Sequence, residues 1–152
     1  MNATDRLAPI YEYRTTRHRI AEAPAVIRQP IDTLPALRAM LDERETEALA
    51  VIVLNTKNAV LAAEIVYSGN LSAAVVRVGE LFRLAVRMNG ASIIMAHNHP
   101  SGDPTPSPDD LHLTAEAVAA GRLLDIPVRD HIVLGDDGAF ASLRDRGVIF
   151  DR

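Results

Sequence analysis

Three residues with metal-ligand chemistry fall within the stretch AHNHPSGDPTPSPDD, residues 96–110. His97 and His99 are separated by one residue, and Asp110 follows after a short run rich in proline. Alternate side chains of an extended strand project from one face, so histidines at this spacing stand side by side. Two imidazoles and a carboxylate make three nitrogen and oxygen ligands. Three protein ligands with the fourth position open is the catalytic zinc arrangement, whereas structural zinc closes its shell with four. Zinc held this way lowers the pKa of its water to about 7, giving a nucleophile at neutral pH. A bare His-x-His is equally compatible with two loop histidines at a strand end.

The loop between the ligands narrows the choice. Pro100, Pro104, Pro106 and Pro108 stiffen it, and Gly102 permits a tight turn. Ser107-Pro108-Asp109-Asp110 reads as an N-cap, a proline at the first helical position and an acid at the third. Ser107 and Asp110 then form a capping box, which alone explains both residues without any function. The two readings are compatible, because a helix N-terminus is where a carboxylate is best held ionised and aimed. Other catalytic motifs fail: there is no G-x-x-x-x-G-K-[ST], Lys57 is the only lysine, and H-E-x-x-H is absent.

The elements that must position these residues follow from periodicity. DTLPALRAMLDE (32–43) has apolar residues at helical spacing, with Asp32 as the expected N-cap. LAVIVLN (49–55) is a continuous apolar run, a strand buried on both faces. TKNA turns it into a second strand, VLAAEIVYSG (60–69), making a hairpin. GELFRLAVRMNG (79–90) sets Leu81, Phe82, Ala85, Val86 and Met88 mainly on one helical face and stops at Asn89-Gly90. ASIIMAHNH (91–99) is a strand running into the histidines, and PDDLHLTAEAVAAGRLLD (108–125) is a helix after them. IPVRDHIVLG and AFASL are strands around a DDG turn, and RDRG is a closing turn. YEYRTTRHRI near the start reads as a strand, a basic exposed one, with nucleic-acid contact as the rival reading of its arginines. Alternating elements imply an α/β or α+β fold with a mixed sheet, whose strand order the pattern does not give.

The whole chain bounds the answer. Its 152 residues suit one domain with a real core, read as an arm or edge strand over 1–30 and a domain over 31–152. Few aromatics and no Trp make that core aliphatic. With no cysteine, disulfides and thiolate metal sites are excluded. The net charge of −4 exerts no general pull on nucleic acid. The first residues carry no signal-peptide core, and no apolar run approaches the roughly 20 residues of a membrane helix, so a cytoplasmic address is expected.

The spacing of His97, His99, Ser107 and Asp110 resembles the JAMM signature of MPN/JAB-domain metalloproteases. The longer stretches AHNHPSGDPTPSPDD, VIVLNTKNAVL, SGNL and LDIPVRDHIVLGDDGAFASLRDRGVI resemble the RadC group of that superfamily, over roughly residues 35–150. The resemblance implies an α/β (α+β) MPN/JAB fold, cytidine-deaminase-like, with a mixed sheet flanked by helices. It implies one Zn2+ per chain on His97, His99 and Asp110. A glutamate on an earlier strand would act as general base and then acid, and a serine at the Ser107 position would steady the oxyanion. By position Glu45, Glu47, Glu64 and Glu80 compete for the base. Glu47, opening ALAVIVLN at the place of the family glutamate, is the assignment taken, with Glu64 the alternative unless it simply faces outward on a half-exposed strand.

Other polar residues have lesser roles. Asp130-His131 matches the family's Asp-His-Ile; it either orients a metal histidine or is ordinary packing. His112 should face solvent, and Ser101, Asp103 and Asp109 should shape the loop without touching metal. Two departures from the RadC pattern stand out. Val78-Gly79-Glu80 stands where Pro-Arg-Glu is usual, removing an arginine, and the 30 residues before the resemblance lead to the expectation of a short form resembling the stand-alone members, without their longer relatives' helix-hairpin-helix-type region.

The function expected is hydrolysis of a peptide or isopeptide-like amide by a zinc metallopeptidase. A DNA-associated accessory protein of repair, recombination or mobile elements is the rival, disfavoured by a pI near 5.7. A non-catalytic MPN scaffold is the third reading, disfavoured by the intact ligand set. Substrate and oligomeric state lie beyond the sequence.

Overall fold

The computed structural model describes residues 10–12, 14, 16–19, 24–69, 71 and 75–150. Among the described residues, Val26 forms an isolated antiparallel bridge to Ala59, just before the second strand of the sheet. A 3-10 turn (Pro30–Thr33) leads into α1 (Leu34–Leu41). Asp32 therefore does not cap α1 as expected; its carboxylate accepts from the Arg28 and Gln29 N–H groups at 2.9 and 3.1 Å and closes the 3-10 turn. Of YEYRTTRHRI, residues 13, 15 and 20 lie outside the described ones. Its other residues are exposed and form no strand, having neither a sheet partner nor an apolar face to bury.

Five strands make one mixed sheet in the order β2-β1-β3-β4-β5. They are β1 (Ala48–Leu54), β2 (Val60–Ser68), β3 (Ser92–Asn98), β4 (Val128–Leu134) and β5 (Phe140–Ser142). The β1–β2 hairpin turns at Asn55–Asn58, where the Asn55 Oδ1 accepts from the Lys57 and Ala59 N–H groups at 2.9 and 3.0 Å. β3 is antiparallel to β1 and parallel to β4, which requires a crossover between them. That crossover is α3 (Pro108–Leu124), and its connection from β3 is the histidine loop.

β1 and β3 are buried at every position because helices or loops cover both faces. Leu49, Val51, Val53, Ile93 and Met95 face α2 (Val78–Arg87) and α3, packing on Leu81, Phe82, Leu113 and Ala117. Ala50, Ile52, Leu54, Ile94 and Ala96 face the other way, onto Leu37 and Leu41 of α1. Val86 is 58% exposed, against expectation, since the apolar stripe of α2 is wider than the strip that sheet and α3 cover. α2 stops as expected, with Asn89 in the left-handed region. Among the described residues no helix is long and apolar enough to cross a membrane.

Candidate metal centre

The row Ile93–Met95 continues to His97, so this imidazole enters the α3 side of the sheet and is fully buried. His97 pairs with Leu49 of β1 and with Val133 of β4. His99 lies one residue beyond β3 and extends its pairing, its N–H donating to the Leu134 carbonyl at 2.8 Å. The chain then turns, with the Gly102 N–H donating to the His99 carbonyl at 2.9 Å. Ser107 and Asp110 form the expected capping box: the Asp110 N–H donates to Ser107 Oγ at 3.1 Å, and the Ser107 N–H to Asp110 Oδ2 at 2.7 Å. The cap and the candidate ligand are thus one carboxylate. It is only 4% exposed.

The three side chains converge. His97 Nε2 lies 2.9 Å from His99 Nε2 and 3.1 Å from Asp110 Oδ1. His99 Nε2 lies 3.2 Å from Asp110 Oδ2. A ligand atom from each falls within 4.8 Å of the others, a group that could hold a metal ion.

Hydrogen bonds behind the rings decide what they offer. The Thr114 hydroxyl donates to the Asp110 carbonyl at 2.6 Å, so its oxygen must accept from His131 Nδ1–H, also at 2.6 Å. That leaves His131 Nε2 bare, to accept from His97 Nδ1–H at 2.7 Å. His99 Nδ1–H donates to the Asp103 carbonyl at 2.8 Å. With both rings neutral, His97 and His99 therefore turn unprotonated Nε2 atoms toward each other and toward a carboxylate. Three lone-pair donors face one point with no proton among them. A divalent cation satisfies all three, so the residues fit a metal of the zinc type.

Positive charge at this point suits the carboxylate. Burial works to raise the Asp110 pKa, but in the metal-free chain the hydrogen bond and charge that a protonated His97 would supply, with the Ser107 N–H, outweigh it and hold the group below the usual carboxylate range. Burial pushes the His131 imidazole well below its ordinary value, and neighbouring His97 adds to this. A neutral His131 is what the hydrogen-bond chain requires.

Glu47 precedes β1 by one residue. Its carbonyl accepts from the Gly69 N–H at 2.8 Å, and the β1–β3 pairing ends two residues further on, at Leu49–His97. Its Oε2 accepts from the Leu71 N–H at 3.0 Å. Glu64 stands opposite Val51 on edge strand β2, and its Oε1 is 3.3 Å from Arg83 of α2. Glu45 is exposed and Glu80 sits in the first turn of α2. His112 is exposed and faces Glu116 at 3.5 Å, as expected. Ser101 and Asp103 shape the loop, the Asp103 carboxylate accepting from the Thr105 N–H and hydroxyl at 2.9 and 2.7 Å.

The orienting reading of His131 gains direct support from this geometry, while its neighbour Asp130 faces the opposite side of the sheet. There the Asp130 carboxylate accepts from Ser142 Oγ, the His131 N–H and the Arg144 N–H at 2.6, 2.7 and 3.1 Å. Sequence reasoning missed Thr114 and the Asp103 carbonyl. Thr114 lies four residues after Asp110 on α3, a spacing that stacks the two on one helix face. A backbone carbonyl leaves no trace in residue type.

A family model described as RadC-like JAB domain matches residues 27–148. The UPF0758 protein of Roseiflexus castenholzii is 50% identical over 124 residues, covering 82% of this chain and 53% of that protein. The UPF0758 protein of Desulforamulus reducens is 44% identical over 129 residues, 85% of this chain and 56% of its own. That of Methanosarcina mazei is 37% identical over 145 residues, 95% of this chain and 63% of its own. The chain thus spans somewhat over half the length of these relatives. With its mixed sheet, its histidine loop and a match across nearly all of the described core, the chain belongs to the RadC-like JAB domain family.

Proposed function

We propose that this chain is a zinc-dependent hydrolase of JAMM metallopeptidase type, cleaving a peptide or isopeptide-like amide. The observation that carries the reading is the convergence of His97 Nε2, His99 Nε2 and the Asp110 carboxylate on one point, with the Nδ1 atoms of both rings engaged behind them. His97, His99 and Asp110 would hold the ion, and His131 would keep the His97 ring turned. Bound there, zinc supplies Lewis acidity and a water acidic enough to attack at neutral pH.

The remaining work falls to two side chains. Glu47 has one oxygen, Oε2, engaged by the Leu71 N–H, leaving Oε1 to take a proton from the attacking water and return it to the leaving amine. Ser107 Oγ accepts from the Asp110 N–H, so its own O–H is available to donate to the developing oxyanion. The substrate is a peptide or protein.

Elemental analysis of the purified chain, beside His99→Ala and Asp110→Ala, tests the reading. One zinc per chain, lost in both variants, supports it and justifies screening amide substrates against Glu47→Gln. No zinc in the wild type, even after incubation with the metal, sinks it.

A further inference from the structure

On the face of the sheet turned away from the metal centre, at the opposite end of the strands, lies a cavity of about 210 Å³. Its floor is apolar, formed by the buried side chains of Leu54, Ile94 and Ile132. Its rim carries three arginines, Arg28, Arg129 and Arg144. The one carboxylate that lines it, Asp130, is already engaged by three donors, and burial raises its pKa. Asp32 nearby is engaged by two backbone N–H groups. Asp32 feels the charge of Arg28 and Asp130 that of Arg144, so three arginines share this rim with two carboxylates that are already hydrogen-bonded.

Two details show that the rim is more than a solvated cationic surface. Arg129 Nε is buried and has no hydrogen-bond partner among the described residues. A buried donor left unpaired is costly, and native proteins seldom keep one without an ion or water to satisfy it. Arg144, in contrast, is held in place: its Nε donates to the Arg129 carbonyl, and its guanidinium lies 5.2 Å over the Phe150 ring. Guanidinium forks match the paired oxygens of phosphates and carboxylates.

We propose that this cavity binds an oxyanion, a phosphate or carboxylate head group held by Arg28, Arg129 and Arg144 with a small apolar body on the Ile94–Ile132 floor. The site is separate from the metal centre and stands whether or not the chain hydrolyses amides.

The test is thermal melting of the full chain in chloride buffer at fixed ionic strength, titrated with inorganic phosphate, phenyl phosphate and benzoate. Saturable stabilisation is expected, with whichever aromatic anion acts at lower concentration identifying the head group. Arg129→Gln should weaken that response about tenfold or more, while Arg87→Gln, on α2 across the sheet, leaves it unchanged. Without anion, Arg129→Gln should melt no lower than wild type, because its Nε has no bond to lose. If that variant fails to fold, Arg28→Gln, altered at an exposed side chain, carries the same comparison. No saturable response to any of the three anions below about 10 mM, or an equal response in the arginine variants, overturns the proposal.

Discussion

His131 Nε2 stands 2.7 Å from His97 Nδ1, so a residue of β4 sets which nitrogen of a β3 histidine is bare. Removing that partner frees the ring to rotate and to change tautomer. His131→Ala should weaken zinc binding by about 10–100-fold, with Thr114→Val moving it the same way by less. Chelator competition measures both, and circular dichroism shows whether the fold survives. Unchanged zinc affinity in the two folded variants would detach the relay from the metal.

The metal-free chain should be acid-labile. His131 and Asp110 both have folded-state pKa values below their unfolded ones, so the unfolded chain binds more protons in each window. The His131 contribution is fully present above the unfolded value of 6.5 and is lost as pH falls toward its lower folded value. Asp110 adds a second loss beginning around 3.8, while Asp130, whose pKa is raised, has the opposite sign there. Urea midpoints should fall from pH 7 to 5 in the wild type and less steeply in His131→Ala. A midpoint level across that range contradicts a buried neutral His131.

Glu47 and Glu64 separate by substitution. Glu47→Gln should keep zinc and lose turnover by about 10²–10⁴-fold. Glu64→Gln should lose only a part-exposed ion pair with Arg83, under about 1 kcal/mol of stability, with turnover near wild type. The reverse pattern moves the general base to the edge strand.

Two glycines should respond with opposite signs to alanine. A Cβ at Gly135 would collide with the Gly102 carbonyl and approach Pro104 Cδ to 2.8 Å, pushing the histidine loop off the β4–β5 turn. Gly135→Ala should therefore lower both thermal stability and zinc affinity. At Gly79 in α2 a Cβ meets nothing within 4 Å, and alanine should stabilise by about 0.5–1 kcal/mol. Calorimetry on the two variants checks the pair.

What could be read in advance was local. Strand β1 announced itself as an unbroken apolar run, α3 by its capping box, and the histidines by period-two spacing, because each signal is contained within a few residues. The strand order was not legible, since β3 pairs in parallel with β4 across the whole of α3. That pairing brings His131 beside His97, and sequence alone had favoured ordinary packing over an orienting role for it. Asp32 misled for a related reason: a capping acid marks a turn start without saying whether the turn is 3-10 or α. Val86 shows the remaining gap, for amphipathic spacing gives the direction of a buried face and not its width.

The shared carboxylate of Asp110 has one further consequence. Its bonds to Ser107 begin α3 with no cation needed, and the relay through Thr114 and His131 holds His97 from behind. The ligand cage is therefore preorganised by the same contacts that start a helix and join two strands. Metal uptake should cost little ordering of the chain, unlike a zinc finger that is unfolded until loaded. Zinc should then be able to leave and return in a folded protein, and its occupancy would follow the supply of free metal rather than the folding of the chain.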